Sequence, residues 1–181
     1  MKLVKIISIT LFSLVSIFLL IAAFVNRNYE VSRSIIIYKP TPEVFSYVSH
    51  IRNQDAYSAW AKKDTASEKS YTGSDASVGF VAKWNSEVKD VGQGEQEIIK
   101  ITPGKRIDME LRFKKPYKST NYLYMETTAL DEAETKVTWN FSGTVPYPLN
   151  ISLLFLNMET NVGKQLNEGL VNLKALLEKQ R

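Results

Sequence analysis

Apolar residues recur at three- and four-residue steps through 157–179. Val162, Leu166, Gly169, Leu170, Leu173, Leu176 and Leu177 gather on about a third of a helix circumference, and Lys164, Glu168 and Asn172 fall opposite. The spacing predicts a long amphipathic helix that must bury its stripe. Gly169 lies inside the stripe, where a missing side chain lets the helix axis approach a sheet closely at a local cost of about 1 kcal/mol.

The middle of the chain alternates instead. Residues 29–38 read as a first strand, after which Thr41 and Pro42 open a short helix with Val44, Phe45, Val48 and Ile51 at helical spacing, ending near Arg52 and Asn53. Residues 54–77 are polar and read as irregular, with Tyr57, Trp60 and Tyr71 as their large apolar groups. Strands follow over 77–85, with Val78, Phe80, Ala82 and Trp84 on one face, and over 91–101. After a turn at 102–105, Ile107, Met109, Leu111 and Phe113 point inward and Arg106, Asp108, Glu110 and Arg112 outward. In 117–130, Leu123, Met125 and Thr127 oppose Tyr122, Tyr124 and Glu126, and the pattern leaves open which set is buried. A last strand over 136–143 carries Val137, Trp139 and Phe141 on one side, and Pro146 and Pro148 end the sheet. A meander cannot bury its apolar face alone, so the terminal helix is the available cover. The expected class is α+β.

The N-terminus is of another kind. From Ile6 to Val25 the chain has no charge, glycine or proline, and 20 such residues at about 1.5 Å each span a hydrocarbon core of about 30 Å. A cut after Ala22 or Ala23 would place Leu20 or Ile21 where a small residue is needed, which favours an uncleaved transmembrane anchor over a cleaved signal or a core helix. Lys2 and Lys5 precede the span, so the positive-inside bias puts the N-terminus in the cytoplasm and the domain on the extracytoplasmic side. The organisation expected is therefore a membrane anchor over 1–28 and one domain over 29–181.

Composition narrows the function. The net charge of +4 falls to +2 once Lys2 and Lys5 are set aside, and bases and acids are interspersed, so nucleic-acid binding has no support. The chain has no cysteine, which excludes disulfides, thiolate metal sites and a cysteine nucleophile. His50, the only histidine, reads as a solvated helix-end residue. No metal site and no cofactor is expected.

Several local signatures come in a telling order: 37–45 entering the first helix, then Trp60 and Asp64, Gly79 with Trp84, 91–94, 135–139 and 169–174. Their sequence resembles the START-like, SRPBCC superfamily, in particular its polyketide cyclase/dehydrase-like branch, over 29–178. The resemblance implies a helix-grip fold, a curved antiparallel sheet wrapped around a long C-terminal helix. It also implies an apolar tunnel for lipids or other hydrophobic molecules. Carried onto this chain, the tunnel would be lined by Trp60, Phe80, Trp84, Met109, Leu111, Phe113, Leu166 and Leu170, unless these simply fill a dry core.

Catalysis finds little footing. Arg106, Asp108, Glu110 and Arg112 share the solvent phase of their strand and read as charge pairs, and Gly92-Gln93-Gly94 reads as a bulge or hairpin device rather than a phosphate cradle. Glu126 and Tyr124 are the candidates left, and only if their face is the buried one; no catalytic residue is assigned. The function expected is membrane-tethered binding, extending to transport, of a hydrophobic small molecule or lipid. The alternatives are a polyketide cyclase/dehydrase-like enzyme and a partner-binding domain with a filled core.

Overall fold

The structure, a computed structural model, describes residues 1–179. It opens with helix α1 (Lys2–Phe24), followed by β1 (Asn28–Ile37), α2 (Thr41–Ser49) and two short helices, α3 (Gln54–Tyr57) and α4 (Ala59–Lys63). Six strands come next: β2 (Glu68–Thr72), β3 (Val81–Asn85), β4 (Gln93–Thr102), β5 (Arg106–Lys115), β6 (Ser119–Ala129) and β7 (Thr135–Thr144). A 3-10 turn (Leu149–Leu154) leads to the terminal helix α5 (Met158–Lys179).

All seven strands form one antiparallel sheet in the order β1-β7-β6-β5-β4-β3-β2. The meander thus runs unbroken from β2 to β7, and β1 closes onto β7 in a ten-residue register from Asn28 opposite Thr144 to Ile37 opposite Thr135. The sheet is curved, and α5 lies against its β1 and β7 side while α2 covers β5 and β6. The predicted stripe is what α5 buries: Leu166, Gly169, Leu170, Leu173 and Leu177 are all inaccessible. Asn172, read as part of the wet face, instead reaches α3, where its Nδ2 donates to the carbonyl of Tyr57 at 3.0 Å.

The open parity of β6 resolves in favour of Leu123, Met125 and Thr127, which are buried together with Asn121. Tyr124 and Glu126 therefore stand on the outer face, where the Arg106 guanidinium lies 3.6 Å from the Tyr124 ring centre and 3.8 Å from the Glu126 carboxylate. That removes both as catalytic candidates.

Three boundaries differ from the sequence reading. Residues 54–77 hold two helices and an edge strand rather than irregular chain; β2 buries no side chain fully, so no apolar alternation announces it. The strand expected from 77 starts at Val81, because Gly79 at φ +86° turns the chain and leaves Val78 in solvent. The first helix stops at Ser49, where His50 leaves helical geometry and its Nδ1 lies 2.8 Å from the carbonyl of Ser46.

α1 stands apart from the domain core. It is long and apolar enough to cross a membrane, and hardly any of it is buried against the rest of the chain.

Candidate functional site: a cavity under the curved sheet

Cross-strand rows explain where space is left. Ala82, Gln96 and Leu111 are paired partners on β3, β4 and β5, and Trp84, Gly94 and Phe113 form the next row along the same face. Gly94 is the short member. A Cβ there would stand 2.6 Å from the Trp84 ring and 2.6 Å from the carbonyl oxygen of Arg112, so only glycine lets the indole fold across β4. Trp84 consequently meets Phe113 edge to face at 5.6 Å and donates its Nε1–H to the carbonyl of Val91 at 3.1 Å.

Across from these rows, α3, α4 and the start of α5 form the other wall. Trp60 on α4 packs edge-on against Trp139 of β7 at 6.3 Å, and Tyr57 does so from α3 at 5.8 Å. Between the walls lies a cavity of about 290 Å³.

Of the eight residues expected to line a tunnel, Trp60, Trp84, Leu111 and Phe113 line this cavity. Phe80, Met109, Leu166 and Leu170 are fully buried in the core around it. Phe80 is stacked behind Tyr71 at 6.1 Å. On α5 the cavity meets Val162 instead of Leu166 and Leu170, because Gly169 draws the middle of that helix onto Trp139 and leaves no gap there.

Leu123, Trp139 and Phe141 complete the apolar wall; alternation had put Trp139 and Phe141 on one side of β7, but not opposite Trp60. Two of the buried wall residues have no apolar signature at all. Gln54 and Gln96 are both buried, and their side-chain amides donate to one acceptor, the Sδ of Met109, at 3.8 and 2.9 Å. A thioether accepts weakly, so these donors are poorly satisfied for buried groups. Sequence patterning passes over them because an inward-facing glutamine reads as polar surface.

The rim is charged. Asp55 pairs with Lys69 at 2.8 Å and accepts the Tyr71 hydroxyl at 2.9 Å, and all three border the cavity. Burial, with Asp55 beside it, pushes the Tyr71 phenol up to about 12, so it remains a neutral donor. On the convex face, away from the cavity, Arg112 bonds Glu95, Glu97 and Glu110 at 2.8, 2.7 and 2.6 Å, so the alternating charges are a solvent-side lattice, as their phase implied.

No family model matches the chain, and no curated protein matches its sequence. Solved structures do. The Aha1 dimer from Colwellia psychrerythraea is similar at 14% identity over 83% of this chain and 96% of that one, with a TM-score of 0.57. Protein MLL2253 from Mesorhizobium loti is similar at 12% identity over 84% and 99%, TM-score 0.59. Ara h 8.0201 is similar at 12% identity over 84% and 99%, TM-score 0.57. At such identities the likeness is one of fold, and the fold is the helix-grip that the resemblance to the SRPBCC superfamily implied.

Proposed function

We propose that this chain is a membrane-tethered binding domain, residues 29–181 on an anchor of 1–28, whose ligand is a hydrophobic small molecule or lipid held under the curved sheet. The observation that carries this reading is the cavity itself. At about 290 Å³ it is close to the lower end of the ~300–1,000 Å³ usual for small-molecule sites, and its wall is mainly aromatic and aliphatic. Burial of apolar ligand surface would supply most of the affinity, at about 25 cal/mol per Å². The amides of Gln54 and Gln96 call for a ligand with a hydrogen-bond acceptor, such as a carbonyl or ether oxygen, that serves them better than the Met109 sulfur. The anchor holds the domain where such molecules concentrate, and Lys2 and Lys5 ahead of it favour a domain on the extracytoplasmic side.

The test is native mass spectrometry of the full chain released from detergent, beside an Ala82→Trp variant whose indole occupies the cavity floor. Adducts of lipid or small-molecule mass on the wild type that are absent from the variant support the reading. Identical spectra for the two proteins refute it.

A further inference from the structure

The pairing of β1 with β7 brings two distant stretches together. Asn28 opposes Thr144, and the Val145 amide donates to the carbonyl of Arg27 at 2.8 Å, so the chain leaving the sheet emerges beside the end of α1. What emerges is unusually apolar for a surface segment. Residues 145–157 read VPYPLNISLLFLN, within a run from Val137 to Met158 that contains no charged residue. Leu149, Leu154, Phe155 and Leu156 face outward, Phe155 at 83% exposure. Contiguous exposed apolar groups of this kind mark an interaction surface.

This segment is fastened to the side of α1. Asn150, fully buried, donates its Nδ2 to the carbonyls of Ala22 at 2.7 Å and Val25 at 2.9 Å, partnering groups that a helix end leaves orphaned. The Tyr147 hydroxyl donates to the carbonyl of Leu19 at 3.4 Å, and Arg27 stands over the Tyr147 ring at 5.6 Å. Depth follows from helix geometry. At about 1.5 Å per residue Leu19 lies about 9 Å below Val25, the last residue of an apolar stretch just long enough for the hydrocarbon core. A segment that touches Leu19 and Ala22 cannot stand clear of a bilayer that α1 crosses.

We infer that residues 145–157 form a second membrane contact, a wedge whose leucines and Phe155 enter the boundary between headgroups and acyl chains beside the anchor. The inference rests on the membrane-spanning reading of α1. Tyr147 with Arg27 suits the interface, where aromatic rings and basic side chains settle. The partner is the lipid surface, because the patch is continuous with the span and lacks the charges that would hold it in water. Two contacts instead of one also fix how the domain stands on the membrane.

The absence of native cysteine makes the test direct. Single nitroxide labels are placed by Phe155→Cys, Leu154→Cys, Phe12→Cys and Glu132→Cys in the full chain, reconstituted in phosphatidylcholine/phosphatidylglycerol vesicles. Collision with oxygen is compared with collision with a water-soluble nickel chelate. Positions 154, 155 and 12 are expected to favour oxygen several-fold, and position 132, an exposed residue of the β6–β7 turn at the far end of the sheet from α1, to favour nickel. Nickel-favoured labels at both 154 and 155 with an oxygen-favoured label at 12 overturn the wedge and leave the anchor standing. Labels at 154 and 155 shielded from both reagents also overturn it, in favour of a second copy or another protein on the patch. A nickel-favoured label at 12 removes the anchor, and the wedge with it.

Discussion

Gly169 of α5 sits on the six-membered ring of Trp139: a Cβ built on the glycine would stand 2.7 Å from Cζ3 of the indole. Trp139 cannot yield easily, because it is buried and gripped edge-on by Tyr57 and Trp60. This contact sets the height of the helix over the sheet and, through Trp139, the position of one cavity wall.

Gly169→Ala should therefore destabilise the protein. Alanine gains about 1 kcal/mol in helix propensity, but overpacking a fixed ring costs about 1–3 kcal/mol. The expected net loss is about 1 kcal/mol in urea denaturation, with lower ligand uptake as Trp139 shifts toward the cavity. A stability gain would show that the ring moves freely.

Gly94→Ala should cost more, about 2–3 kcal/mol, because one of the three atoms its Cβ would meet is the backbone oxygen of Arg112, which cannot rotate away. Thermal unfolding and near-ultraviolet dichroism of Trp84 check this together; loss of the edge-to-face packing with Phe113 should change the indole signal.

Gln96→Leu separates structure from binding. It removes a buried amide whose partner is a thioether, so stability should change by less than about 1 kcal/mol. Affinity for an apolar ligand bearing a carbonyl should fall about tenfold, the equivalent of about 1.4 kcal/mol, while a plain hydrocarbon of equal size should bind as before. Titrations of the two ligands against both proteins measure the difference; equal losses would remove Gln96 from recognition.

Acid should weaken the convex lattice in a defined direction. The hydrogen bond from Lys114, opposed by the carboxylate's own burial and joined by Arg112, holds Glu95 below its ordinary value of 4.5. A lowered folded value means that the stabilisation is complete above about 4.5 and disappears as pH falls through the folded value. Glu95→Gln should cost about 1 kcal/mol near neutral pH, and the gap to the wild type should close below about pH 4.5. A gap that persists at about pH 3 would assign the loss to packing rather than charge.

Periodicity carried much of this fold. The stripe of α5, the inward set Ile107, Met109, Leu111 and Phe113, and the outward charges of β5 were legible because burial on one face leaves a repeat of 3.6 or 2 in the sequence. β2 was not legible, since an edge strand paired on one side only buries no side chain fully and leaves no repeat. Half of the expected lining residues, Trp60, Trp84, Leu111 and Phe113, border the cavity; Phe80, Met109, Leu166 and Leu170 are core, and all eight carry the same apolar signature. A hydrophobic side chain looks alike in sequence whether it touches a neighbour or a void.

By itself, then, the sequence determined the order of elements, the inner phase of β5 and β7 and the length of the apolar N-terminal helix, because each is a local property of spacing and transfer free energy. The tertiary structure alone decided which face of β6 is buried, where space remains beneath Trp84, why Gln54 and Gln96 share the Met109 sulfur, and that residues 145–157 lie against α1. Those depend on distances between residues far apart in the chain, which only the register of the strands and the seating of α5 on Trp139 can set.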